Sequence, residues 1–167
     1  MFSLGDWPSL SSPDPVSLHI HVLTSLEEDN RIPELIESAS NSGFSPRIQE
    51  AEDFARQNRV LLLIHDQSRI PVDLSLGMLP FEQEVIQRSY IVQAGDLQLP
   101  MPTVEDLIIL KAVAHRAVDL LDIEALLDVH PEIDRKRIEG MVGEFSEALE
   151  MPEILTDIKS ILDRKAS

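Results

Sequence analysis

Two histidines and one aspartate are the residues of this chain best suited to metal or phosphate chemistry. His19 and His21 alternate with apolar residues, and Asp73 lies in a second alternating run, so each projects from one face of a predicted strand. If the two strands are neighbours with matching faces, the three side chains converge on one side of a sheet, where a rigid scaffold can hold a metal ion or a phosphate. The competing interpretation is that His19 and His21 are ordinary solvent-facing residues of a half-exposed strand.

A second group of charged residues lies further along the chain, where the hydrophobic period is helical. Lys111 and His115 are one helical turn apart. Asp119 and Asp122 share one face of the following helix, where Arg116 can reach Asp119. This spacing is typical of an ion network that joins two helices.

Composition excludes several classes of site. The 167 residues include no cysteine, so disulfides, thiolate zinc sites and cysteine nucleophiles are ruled out. The formal net charge of -16 argues against extended nucleic-acid binding, which depends on Lys and Arg to displace counterions from phosphates. Residues 1–15 lack the features of a signal peptide, and no apolar run is long enough to span a membrane. We therefore expect a cytoplasmic protein with no membrane segment.

The elements that must position the first group form a predicted sheet domain over residues 1–100. Leu18, Ile20 and Val22 are expected to form the buried face of the first strand, and Gly43 to stop the first helix. Strands are predicted at 17–23, 59–65 and 70–76, and the last two form a hairpin. A second hairpin is predicted at 89–93 with 97–99, and helices at 26–42, 49–56 and 81–88.

Residues 101–167 are predicted to be helical throughout. Thr103 followed by Asp106 is typical of a capped helix start. Helices are predicted from that cap to about residue 117 and at 119–129, 134–149 and 152–164. The fold class expected is therefore α+β, with a mixed and mostly antiparallel sheet, flanking helices and a C-terminal helical bundle.

Three sequence motifs resemble a known group of proteins. Residues 99–108 read LPMPTVEDLI, residues 111–123 read KAVAHRAVDLLDI, and residues 71–74 read PVDL. Over residues 17–127 the chain resembles the AbiEii-type and related nucleotidyltransferase-like families of the polymerase-beta superfamily. Their pattern is Pro-x-x-Glu/Asp-Leu, then Lys, then Arg-x-x-Asp-x-x-Asp-Ile/Leu, and some members are toxin components of toxin-antitoxin pairs.

The resemblance implies a nucleotidyltransferase fold and a catalytic carboxylate at Asp73. It also implies substrate or nucleotide contacts in the helical motif, although the same side chains form the ion network described above. These candidate contacts are Lys111, Arg116, Asp119 and Asp122.

The chain departs from the family at the metal ligands. An Asp-x-Asp pair on the first strand joins the third Asp in binding two magnesium ions in active members, but the matching positions here are His19 and His21. Neutral imidazole is a poor ligand for magnesium and suits zinc or another transition metal better. The family's Gly-Ser turn and preceding helix are also missing, so either they lie upstream of Met1 or nucleotide binding has been lost.

Three functional hypotheses follow. The leading one is a degenerate nucleotidyltransferase-like protein that acts as a binding or regulatory module for a protein partner or a nucleotide. The second is an active, toxin-type enzyme that moves a nucleotide from a nucleoside triphosphate to RNA or protein with magnesium and Asp73. The third is a protein that binds a transition metal through His19, His21 and Asp73.

Overall fold

The computed structural model describes residues 19–26 and 28–165. Within these ranges the chain is α+β, with seven α-helices, one four-stranded mixed sheet and one two-stranded hairpin, which confirms the predicted class. Contacts divide the chain into two compact units, with the boundary between Gln87 and Arg88.

The first unit contains the four-stranded sheet and its helices. A short 3-10 turn, Asp29–Arg31, leads into the first helix. The elements are β1 (Ile20–Ser25), α1 (Ile32–Asn41), β2 (Phe44–Pro46), α2 (Ala51–Asn58), β3 (Val60–His65), β4 (Pro71–Gly77) and α3 (Pro80–Arg88), whose last residue belongs to the second unit.

The strand order is β1-β4-β3-β2. β3 pairs antiparallel with both β2 and β4, as the predicted hairpin requires, whereas β1 runs parallel to β4. Because paired residues in adjacent strands point to the same side, the register defines two faces. One face carries the alternate apolar residues of β3 and β4, and the other carries His21 and Asp73.

The apolar face forms the core of this unit with α1 and α2. Ile32 of α1 and Ala55 of α2 are fully buried against it. Partly buried apolar residues of α1 also pack against it, and Gly43, with a φ of +83°, follows the helix in the left-handed conformation that favours glycine. The buried cluster consists of Leu26, Ile32, Ala51, Ala55, Leu61, Leu63, Val72 and Leu76.

The predicted buried face of the first strand is wrong for the residues that can be assessed. Ile20 and Val22 are 43% and 41% exposed, and Leu18 lies outside the described residues. β1 is an edge strand, and the buried cluster of the apolar face draws on β3 and β4 rather than on β1. Alternation thus placed Ile20 and Val22 correctly on one face of the sheet. That face is solvent exposed at these two residues, which lie on the edge strand β1.

The second unit contains a hairpin and four helices. Both hairpin strands are solvent exposed along their whole length. Thr103 caps the first of the helices, because its hydroxyl accepts a hydrogen bond from the Asp106 backbone N–H. The elements are β5 (Tyr90–Ala94), β6 (Leu97–Met101), α4 (Val104–Ala114), α5 (Ala117–Val129), α6 (Arg135–Ala148) and α7 (Pro152–Arg164).

The first of these helices is shorter than predicted. α4 ends at Ala114, since His115 adopts a left-handed conformation with a φ of 50°, and α5 begins at Ala117. The hairpin belongs to the same compact unit as the helices. The division of the chain into domains at residues 1–100 and 101–167 stays a prediction. In the described ranges, no helix combines the length and apolar character needed to cross a membrane.

Candidate metal centre

The parallel pairing of β1 with β4 brings the first group of candidate residues together. His21 lies opposite Asp73 in the register, so both side chains leave the same face of the sheet. His19 stands two residues before His21 and shares that face, with the two imidazole rings stacked at a centroid separation of 4.9 Å and an interplanar angle of 8°. The predicted convergence of the three side chains is therefore confirmed.

The three side chains present one ligand atom each to a common point. These atoms all lie within 4.8 Å of one another. The Asp73 Oδ2 atom is 3.0 Å from His19 Nε2 and 3.8 Å from His21 Nδ1. Ligands of a tetrahedral zinc ion with bonds near 2.0–2.1 Å are separated by about 3.3 Å, and the two distances from Asp73 Oδ2 lie on either side of that value. The side chain of Asp73 is only 9% exposed and that of His21 53%, which leaves the group open to solvent on the His21 side.

A third type of residue, Arg47, completes the cluster. Its guanidinium donates a hydrogen bond from Nη2 to Asp73 Oδ1. Arg47 directly follows β2, and its backbone N–H donates to the Leu62 carbonyl, which fixes the residue beside the central strands. Arg47 was not predicted from the sequence, because the three-residue strand before it shows no alternation that could assign the Arg47 side chain to a face.

Two buried polar atoms of the cluster lack a hydrogen-bond partner among the described residues, His19 Nε2 and Arg47 Nε. His19 Nε2 is within hydrogen-bond distance of Asp73 Oδ2, but their relative orientation does not make a hydrogen bond. A buried nitrogen without a partner is unfavourable unless something else coordinates it. A metal ion between His19 and Asp73 would satisfy that requirement for the His19 nitrogen.

The donor set does not fit a pair of magnesium ions. Magnesium prefers oxygen ligands in octahedral geometry, and the cluster offers two imidazole nitrogens and a single carboxylate. Arg47 further offsets the negative charge of that carboxylate. Two imidazoles and one carboxylate suit zinc and other transition metals.

The second group of candidate residues forms a compact ion network between α4 and α5. Lys111 Nζ lies 2.6 Å from Asp122 Oδ2 and 3.5 Å from Asp119 Oδ1. The Arg116 guanidinium donates to both oxygens of Asp119, at 2.6 and 3.0 Å. The four side chains contact one another as the ion-network hypothesis predicts, and their role as substrate contacts stays a prediction.

Asp119 is the buried centre of this network. Burial by itself raises the pKa of Asp119, but the hydrogen bond from Arg116 and the positive charges of Arg116 and Lys111 outweigh it and lower the pKa overall. The same hydrogen bond raises the pKa of Arg116. The network therefore holds Asp119 in its charged form.

A second buried carboxylate, Asp106, was predicted only as part of the helix cap. Its side chain is fully buried and accepts hydrogen bonds from Arg88 Nε at 3.0 Å and Arg137 Nη2 at 2.6 Å. Burial raises the pKa of Asp106, but the hydrogen bonds from Arg137, Thr103 and Arg88 outweigh this and lower it. The only sign of this burial in the local sequence is that Asp106 directly precedes the apolar run that starts at Leu107.

One further ion pair in the helical unit was missed. His115 Nε2 lies 3.0 Å from Asp157 Oδ2, and the left-handed backbone of His115 directs the side chain away from the continuation of α4. The sequence placed His115 one turn from Lys111 on a continuous helix. The helix end therefore removes His115 from the Lys111 network.

Comparison with known proteins identifies no family model and no curated protein that matches the chain.

Proposed function

We propose that this chain is a nucleotidyltransferase-like protein that does not catalyse nucleotidyl transfer and acts as a binding or regulatory module. One observation carries the proposal. The positions that the family resemblance assigns to three magnesium-binding carboxylates hold His19, His21 and Asp73, and Arg47 pairs with the one carboxylate that remains.

The low negative charge of the site is the physical reason why we expect no nucleotidyl transfer. Two magnesium ions bring four positive charges, which active sites of this chemistry balance with carboxylates and phosphate oxygens. Here Asp73 supplies one negative charge, and the guanidinium of Arg47 cancels it. A site without net negative charge cannot hold two magnesium ions beside a bound triphosphate at the strength that phosphoryl transfer needs.

The geometry of the sheet supports the resemblance behind this proposal. A family member must bring its first strand next to the strand with the third carboxylate, and β1 lies beside β4 with residue 21 opposite residue 73. The module would bind a protein partner, or a nucleotide without turnover. The toxin-type enzyme is the competing function.

Isothermal titration with magnesium and each nucleoside triphosphate tests the proposal. We expect no magnesium-dependent heat of triphosphate binding from the wild-type protein, and a nucleotide bound without turnover would give the same heat with and without magnesium. The matched variant carries both His19→Asp and His21→Asp, which restores two carboxylates at the positions in question and should gain magnesium binding. Micromolar, magnesium-dependent triphosphate binding by the wild-type protein, or transfer of a labelled nucleotide to RNA or protein, would contradict an inactive site.

The convergence of His19, His21 and Asp73 favours a second function, the binding of a single transition-metal ion. Three ligand atoms lie within 4.8 Å of one another, and the buried His19 nitrogen has no hydrogen-bond partner among the described residues. Zinc is the first candidate, because two imidazoles and one carboxylate leave a fourth position that a solvent molecule can fill on the exposed His21 side.

Metal analysis of the purified protein after exposure to zinc, followed by dialysis, tests this function. One equivalent of zinc should remain on the wild-type protein and be lost from His19→Ala and from His21→Ala. His130→Ala is the matched control, since His130 is an exposed histidine at the end of α5. A wild-type protein that retains no zinc, cobalt, nickel or iron would rule out the metal function.

A further inference from the structure

We infer that Arg47 makes the centre formed by His19, His21 and Asp73 selective for imidazole-binding ions such as zinc and cobalt over oxygen-seeking ions such as magnesium, calcium and manganese. The inference rests on the second proposed function, that His19, His21 and Asp73 bind one metal ion. Arg47 would act as a positioning and selectivity residue, because its contact is with the Asp73 carboxylate rather than with the ion.

The two oxygens of Asp73 have separate partners. Oδ1 accepts the hydrogen bond from Arg47, whereas Oδ2 faces His19 and His21 at 3.0 and 3.8 Å. A metal ion among the three ligand atoms would therefore receive one oxygen of the carboxylate and not both. Hydrogen bonds to the non-coordinating oxygen are a common means of orienting a ligating carboxylate.

Blocking Oδ1 affects the two classes of metal ion differently. A zinc-type ion gains most of its binding from the two imidazole nitrogens and uses a carboxylate through one oxygen. Magnesium, calcium and manganese depend on oxygen ligands, and Asp73 is the one carboxylate of the cluster. Withholding one of its two oxygens removes half of the protein oxygens that these ions could use.

The charge of Arg47 acts in the same direction. A guanidinium beside the centre repels any divalent ion, but an ion bound through neutral imidazoles has other bonds to offset that repulsion. An ion that relies on the carboxylate charge has no such bonds to offset the repulsion, because the charge of Asp73 is already paired with Arg47. Zinc-type binding survives in the presence of Arg47, and magnesium-type binding does not.

Arg47 is held firmly enough to have this effect. Its side chain is mostly buried, and its backbone N–H donates to the Leu62 carbonyl at 2.9 Å. Leu62 is in turn the neighbour of Asp73 across β3 and β4, so one stretch of central sheet fixes both members of the ion pair. The Asp73 carboxylate is consequently oriented before a metal ion arrives, which favours tight binding of an ion that fits.

Arg47→Met tests the inference, because methionine keeps much of the side-chain length and removes the charge and the donors. Cobalt and zinc serve as transition-metal probes, followed by the visible absorption of bound cobalt and by zinc competition. Manganese serves as the oxygen-seeking probe, followed by electron paramagnetic resonance. We expect the ratio of zinc to manganese affinity to fall about 10- to 100-fold, the range for lost outer-shell partners of metal ligands, and manganese binding to appear.

Cobalt absorption supplies a readout that a merely structural role of Arg47 would not change. With Asp73 free to use both oxygens, the coordination number should rise and the visible absorption should weaken. Arg31→Met is the matched control, since Arg31 lies in the same unit, is mostly exposed and pairs with Glu34 away from the centre. This control should keep the wild-type ratio of zinc to manganese affinity.

Arg47→Ala removes the same charge and donors with a shorter side chain and covers the case in which Arg47→Met does not fold. A fall in the ratio of zinc to manganese affinity in either folded variant supports the inference. An unchanged ratio and an unchanged cobalt spectrum in the folded variants overturn it and leave the metal function intact. If the wild-type protein binds neither zinc nor cobalt, both the metal function and this inference are overturned.

Discussion

Asp73, Asp106 and Asp119 are the buried carboxylates of the described chain, and each is compensated by at least one cation. Arg47 pairs with Asp73. Two arginines hold Asp106, and Asp119 is shared by an arginine and a lysine. A carboxylate removed from water is unfavourable unless it is paired and hydrogen-bonded, so these contacts permit burial rather than add a large surplus of stability.

Asp119 and Asp122 allow a direct comparison of buried and exposed pairing. Both contact Lys111, but the Asp119 side chain is 1% exposed and the Asp122 side chain 48%. We expect Asp119→Asn to lower the free energy of unfolding by about 2 kcal/mol, because Arg116 loses its charged hydrogen-bond acceptor and Lys111 keeps only Asp122. Asp122→Asn should lower it by less than about 1 kcal/mol, as for a surface pair. Urea denaturation of the two variants measures both values, and equal losses would contradict the central role of Asp119.

At the scale of the elements, the start of α4 determines how the helical unit is assembled. The Thr103 hydroxyl accepts the hydrogen bond of the Asp106 N–H, and the Asp106 side chain then reaches Arg88 and Arg137. The end of α4 is defined equally locally, by the left-handed backbone of His115. Both ends of this helix therefore depend on single residues with identifiable physical roles.

Thr103→Ala should lower the free energy of unfolding by about 1 kcal/mol, the usual effect of losing a side-chain cap. The physical reason is that the Asp106 N–H would lose its acceptor at a point where the helix itself provides none. Thr103→Ser is the control, since serine retains the hydroxyl and should stay close to wild type. Chemical denaturation followed by circular dichroism compares the three proteins. A serine variant as unstable as the alanine variant would show that the hydroxyl is not the cause.

At the scale of the whole molecule, 30 acidic residues against 14 basic ones produce the net charge of -16. Two carboxylates with lowered pKa values, Asp106 and Asp119, link the charge state to stability. The predicted absence of extended nucleic-acid binding also belongs to this scale and stays a prediction.

Stability should decrease in acid, with the sign set by these lowered pKa values. A carboxyl group whose pKa is lower in the folded state stabilises the protein above its unfolded pKa, about 3.9 for Asp, and this stabilisation is lost as the pH falls through the folded pKa. We therefore expect the melting temperature to drop as the pH falls below about 4. Differential scanning calorimetry from neutral pH into the acid range measures the curve. The curve of Asp119→Asn should be flatter, and parallel curves would show that Asp119 makes no contribution to the acid sensitivity.

Much of the local structure was predictable because it depends on neighbouring residues. A continuous apolar run identified the strand at residues 59–65, and period-two alternation identified the strand at residues 70–76. Helical periodicity identified α5, α6 and α7 within a few residues of their ends. Alternation also placed His19, His21 and Asp73 on strand faces that could converge. Their convergence required one further condition, that the first strand lie beside the second hairpin arm, and the parallel pairing of β1 with β4 meets it.

Other features depended on contacts between distant residues, and only the tertiary structure decided them. Arg47 and Asp73 are separated by 26 positions, and Asp106 and Arg137 by 31, so no local pattern links either pair. Periodicity states which side chains share a face but not whether another layer covers that face, which is why Ile20 and Val22 are exposed on the edge strand. By itself, the sequence therefore identified most of the elements and the three side chains of the candidate centre. The folded chain decided that an arginine shares the carboxylate with them, because the proximity of Arg47 to Asp73 is a property of the assembled sheet.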